Sequence, residues 1–99
     1  MRLTDDQIAF IRKSVLELAG AGTRVRLFGS RLDDSAKGGD IDVMLELPTP
    51  IENPAVLSAT LSARISRTLH GRKVDVLLSA PNLMHLPIHD VALRDGQLL

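Results

Sequence analysis

The chain has 99 residues, 44% of them apolar, with 12 basic groups against 12 acidic ones and no cysteine. That composition excludes a disulfide framework, a thiolate metal site and a cysteine nucleophile, and the length predicts one small domain over 1–99 with one core. No apolar run approaches the roughly 18 residues a membrane span needs, and the opening Met1-Arg2-Leu3-Thr4-Asp5-Asp6 is acidic where a secretion signal is basic, so a cytoplasmic place off the membrane is expected.

Thr4-Asp5-Asp6-Gln7 sets a hydroxyl three residues before an amide, the pattern of a capping box. Ile8, Ile11, Val15 and Leu18 then recur at helical spacing, and Gly20 and Gly22 end the helix. Arg24-Val25-Arg26-Leu27-Phe28 alternates as a strand and stops at Gly29-Ser30. Residues 31–39 are polar, close on two glycines and read as a loop. Asp40 to Glu46 is a second strand. After a connector from Pro48, Asn53 is placed to cap a helix that begins at Pro54, with Leu57, Leu61, Ile65 and Leu69 as its apolar stripe. Ser58, Arg64 and Arg67 fall on its wet side, and Gly71 closes it. Lys73 to Leu78 is the third strand, Pro87 to Asp95 a short helix closed by Gly96, and Gln97-Leu98-Leu99 a possible last strand. The expected fold is α/β in the broad sense (α+β), a small mixed sheet flanked by helices on one or both faces.

Charge is uneven along this order. Residues 1–31 carry six basic and three acidic groups, 32–54 one against six, and 55–99 five against three. Neutrality overall argues against a duplex binder, which needs many phosphate-neutralising cations. Phe10 and Phe28 alone make no stacking platform for single strands, so no polynucleotide binding is expected.

The chemistry lies in the carboxylates. Residues two apart on a strand share a face, so Asp40 and Asp42 lie on one side, their alpha-carbons about 6.5 Å apart, with Ile41, Val43 and Leu45 opposite as core. Asp75 stands between Val74 and Val76, where aspartate is a poor strand former. A lone aspartate at a strand end is commonly just solvated, but three such positions among good strand formers ask for another reason. Where the two strands are neighbours, three anions share one patch and repel unless a cation intervenes. No lysine or arginine is expected to alternate with them on that face. Oxygen ligands of this kind suit magnesium. Ahead of them, Gly29 permits close backbone approach, Ser30 offers a hydroxyl and a backbone donor to phosphate, and Arg31 adds charge.

Phe28-Gly29-Ser30-Arg31, then Gly39-Asp40-Ile41-Asp42-Val43, then Val74-Asp75-Val76 together resemble the minimal nucleotidyltransferases of the polymerase-β-like superfamily. Their signature is Gly-Ser, a loop of some ten residues, Asp-x-Asp on a strand and a third aspartate on a later strand. The element order matches over nearly the whole chain, although Gly39 stands where many relatives carry a serine or threonine. Among them, the short prokaryotic antitoxins encoded beside a helical HEPN-domain toxin are the nearer resemblance. The likeness implies a polymerase-β-like core and a two-ion magnesium site on Asp40, Asp42 and Asp75, the catalytic residues. It implies Gly29, Ser30 and Arg31 on a nucleoside triphosphate, with ATP as substrate. The implied reaction is adenylyl transfer to a hydroxyl side chain of a partner protein. So short a chain has little room for its own acceptor domain, so a HEPN-type toxin or a second copy is expected to supply the acceptor. The same fold as a non-catalytic binding antitoxin, or as a small-molecule nucleotidyltransferase, is the alternative.

Remaining features have plainer readings. His85 and His89 are four apart, a possible zinc spacing, but Pro87 between them argues for surface or core-edge histidines. Met44 lies on the carboxylate face and could pack against a base, with packing filler its plainer role. Arg64, Arg67, Arg72 and Lys73 are either a solvated face or a patch for a nucleotide or an acidic partner.

Overall fold

The computed structural model describes residues 3–29 and 41–99. Its elements run α1 (Asp5–Ala19), β1 (Arg24–Phe28), β2 (Ile41–Glu46), α2 (Pro54–Thr68), β3 (Val74–Ser79), α3 (Pro87–Asp95) and β4 (Gln97–Leu98). The four strands form one mixed sheet in the order β3-β2-β1-β4. β1 pairs antiparallel with β2 and with β4, whereas β2 and β3 run parallel. Three helices on a mixed sheet make an α+β fold.

The capping box at the start of α1 forms as the sequence indicates. Thr4 Oγ1 accepts from the Gln7 N–H at 3.1 Å, and Gln7 Oε1 accepts from the Thr4 N–H at 2.8 Å. Two of the first-turn donors that a helix leaves unpaired are thereby satisfied, one of them by a residue outside the helix. At the other end Gly20 takes φ +91° and its N–H donates to the Leu16 carbonyl. α2 starts at Pro54 as expected, but the Asn53 side chain makes no capping bond. Only its backbone carbonyl is used, accepting from Leu57 N–H.

Strand alternation sorts the side chains into two layers. Val25, Leu27, Ile41, Val43, Leu45 and Val74 pack beneath α1 and α2, against Ile11, Val15, Leu61, Ile65 and Leu69. On the opposite face Phe28 and Met44 pack with Ala92 of α3, and Leu77 leans on them. Met44 is completely buried there, so its filler role stands. Each fully covered Leu or Ile of the first layer stabilises the fold by about 1.5–3 kcal/mol.

The outer edge of β3 is closed by side chains. Lys73 and Ser79 turn their carbonyls to β2, where they accept from Ile41 and Leu47 N–H. Alternation therefore sends the Val74, Val76 and Leu78 carbonyls outward. Ser62 donates to the first, Ser58 to the second at 3.1 Å, and His89 Nε2 to the third at 2.9 Å. Ser58 thus does not sit on the wet side of α2, as its polarity suggests. It faces the sheet edge, because an open edge strand needs donors for its outward carbonyls. Among the described residues no helix is long and apolar enough to cross a membrane.

Candidate functional site

The register brings three residues into one row across the sheet. Phe28 at the end of β1 stands opposite Asp42, and Asp42 in β2 stands opposite Asp75 in β3. Directly opposed residues share a face, so both carboxylates emerge on the side covered by α3. Asp42 is half-buried, and Asp75 is exposed. β3 lies beside β2, which is the condition the sequence reading set for its carboxylates to meet.

Gly29 follows β1 at φ +76°, a conformation that side chains rarely adopt. A Cβ placed on it would lie 2.6 Å from Asp42 Oδ2. The Asp42 carboxylate therefore rests against bare backbone, in space that any other residue type would fill. Ser30, Arg31 and Asp40, the other members of the expected constellation, lie outside the described residues.

One sequence expectation is corrected. Lys73 precedes Asp75 by two residues and shares its face, and its Nζ approaches Asp75 Oδ1 to 3.9 Å. A cation therefore does stand beside the carboxylates: Lys73, the residue immediately before β3, reaches back to Asp75 from two positions earlier. Both side chains are more than half exposed, so this pair stabilises the fold by no more than about 1 kcal/mol. Asp42 also has a polar partner.

A cleft of about 410 Å³ opens on this row. Gly29, Asp42 and Asp75 form its polar side, while Phe28 and Leu77 of the sheet and Ile88 and Val91 of α3 form its apolar side. Sequence reasoning missed the α3 wall. Its signal was present in the spacing of Ile88, Val91 and Ala92, which places three apolar groups on one helical face. Ala92 anchors that face in the core while Ile88 and Val91 look into the cleft.

α3 is fixed to the sheet by His89, which is buried with 3% exposure. Its Nδ1 accepts from Leu86 N–H at 2.9 Å and its Nε2 donates to the Leu78 carbonyl at 2.9 Å. His85 is exposed, stacks on the His89 ring at 5.0 Å between centroids, and bonds Asp90 through Nε2 at 2.7 Å. The pair is one surface and one core-edge histidine, as the intervening proline suggests, and both ring nitrogens of His89 are engaged with backbone.

The four basic residues around the end of α2 have different surroundings. Arg64 pairs with Glu17 of α1 at 2.8 Å, Lys73 lies by Asp75, Arg67 is exposed, and Arg72 buries one guanidinium nitrogen that has no hydrogen-bond partner among the described residues. Among the described residues no three His, Cys, Asp or Glu side chains gather around a point that would hold a metal. Asp42 and Asp75 nevertheless offer only oxygen donors, on one face, beside a glycine cradle. That donor set fits a hard divalent cation. Compared with protein-family models and with curated proteins, the chain gives no match.

Proposed function

We propose that the chain is a magnesium-dependent nucleotidyltransferase that transfers a nucleotidyl group, adenylyl foremost, from a nucleoside triphosphate to a hydroxyl side chain of a partner protein. The observation that carries this reading is the Asp42–Asp75 pair, opposed across β2 and β3 with the Asp42 carboxylate against the bare Gly29 backbone. The cleft adds an apolar wall beside two carboxylates, which suits a ligand with a flat ring at one end and phosphates at the other.

Asp42 and Asp75 would hold the metal, joined by Asp40 in the sequence pattern. When bound, magnesium neutralises phosphate charge and stabilises the entering and leaving oxygens of an in-line displacement. The chain's own groups do the rest. Gly29 lets the phosphates approach the backbone without a side chain between, and Phe28, Ile88 and Val91 receive the base and exclude water from one side. Asp75, the more exposed carboxylate, takes the proton of the acceptor hydroxyl. The hydroxyl oxygen attacks the α-phosphorus, an ester bond forms, the bond to the β-phosphate oxygen breaks, and pyrophosphate leaves.

Service as the antitoxin of a HEPN-type toxin is the biological form of this proposal, and the resemblance in the Gly-Ser, Asp-x-Asp and Asp motifs supports it. The test mixes the chain with the product of its neighbouring gene, which the proposal expects to be a helical protein, magnesium and ATP labelled at the α-phosphate. Transfer of label to the partner is the expected result. Neutralisation of that partner without any label, and unchanged in the Asp42→Asn variant, would replace the enzyme with a binding module.

A further inference from the structure

Away from the cleft, at the other end of β1, a groove of about 560 Å³ lies between α1 and the β4 edge. Ala9, Leu16 and Leu98 form its apolar floor, and Arg12, Lys13 and Arg24 form its rim. Leu16 is 56% and Leu98 is 52% exposed, large apolar surface for so small a chain. None of the three rim cations is within ion-pair distance of a described carboxylate. Glu17, on the same helix, is turned to Arg64 on the far side of α1. β1 separates groove and cleft by about 13 Å of strand, so an occupant of one leaves the other open.

We infer that this groove docks a segment of a partner protein in which a large apolar side chain is flanked by carboxylates. Charge complementarity chooses that occupant. Three cations with no ion pair among the described residues, set around an apolar floor, favour an anionic rim on the partner and an apolar centre, the usual anatomy of a protein interface. No aromatic residue lines the groove to stack a base, and its concavity suits a side chain better than a flat lipid surface. The inference is independent of the nucleotide reading, because the groove shares no residue with the cleft.

The test uses the full chain and two labelled amphipathic helical peptides of equal length, each with a leucine stripe. One carries glutamates beside the stripe, the other lysines. Fluorescence anisotropy is expected to show binding of the acidic peptide alone, weakened by salt as the rim cations are screened. Leu16→Ser, or Arg12→Glu with Lys13→Glu, is expected to weaken it about tenfold or more. These positions are exposed, and circular dichroism checks that the variants keep the fold. Equal binding of both peptides, no binding of either, or binding indifferent to the variants overturns the proposal. So does a concentration-dependent dimer in light scattering that Leu16→Ser abolishes, which would make a second copy the occupant. Binding of a labelled DNA duplex lost in Arg12→Glu with Lys13→Glu would equally overturn it.

Discussion

Asp42 and Asp75 face one another across the parallel pair of strands, and each has a different companion: Gly29 backbone against Asp42, Lys73 Nζ beside Asp75. The two carboxylates therefore differ in surroundings. Asp42 is the half-buried, sterically fixed one, while Asp75 is exposed. In the proposed reaction this suits Asp42 to holding and Asp75 to exchanging a proton with an incoming hydroxyl.

The close fit of Gly29 on Asp42 makes Gly29→Ala a sharp probe. An alanine at φ +76° is strained by about 1–2 kcal/mol, and its Cβ would displace the Asp42 carboxylate. The expected outcome is a lowered melting temperature together with magnesium–ATP affinity reduced more than the loss of stability explains. Calorimetric titration of the folded variant measures it. Affinity equal to that of the parent chain would detach Gly29 from the site.

Removing the carboxylate charges separates stability from activity. Asp42→Asn with Asp75→Asn keeps shape and removes two negative charges. Stability without metal is expected to hold or rise, since like-charge repulsion is relieved. Label transfer should fall by about a hundredfold or more with loss of metal-ion catalysis. A single-turnover assay with urea denaturation of the same sample distinguishes the two effects. Unchanged transfer would remove both residues from the mechanism.

Magnesium should govern nucleotide affinity. Two carboxylates beside a triphosphate repel it, and a divalent cation reverses the sign of that interaction. ATP is expected to bind weakly in the presence of a chelator and more tightly once magnesium is in excess. Identical isotherms in the two conditions would contradict a metal-bridged site.

His89 is expected to matter for the fold rather than for the chemistry. His89→Leu preserves apolar volume but leaves the Leu78 carbonyl and Leu86 N–H without their partners, at a cost of about 1–3 kcal/mol. Because α3 carries Ile88 and Val91 into the cleft, nucleotide affinity should weaken as well. A stability indistinguishable from the parent in urea would show that neither bond contributes.

Local order was open to reading because its causes lie within a few residues. The Thr4–Gln7 capping box, the strand alternation of Arg24–Phe28 and the proline that begins α2 at Pro54 act over one turn or one strand, so pattern and structure agree there. The same alternation assigns Ile41, Val43 and Leu45 to the core and sends Asp42 to the other face. The aspartates and Gly29 were therefore legible as candidates, each on a strand or at its end. Which groups meet is a different matter, because it depends on pairings between distant segments. Asp42 opposes Asp75 only because β2 and β3 lie parallel and in that register, a pairing across 33 positions of sequence that no local pattern encodes. Likewise Ser58 reads as a solvent-side residue of α2 until β3 presents outward carbonyls that it and Ser62 satisfy. Ile88 and Val91 became walls of a cleft only when His89 and Ala92 fixed α3 to the sheet. Short-range sterics and hydrogen bonding thus determined the elements, while sheet register and the pairing of buried polar groups decided what those elements bring together.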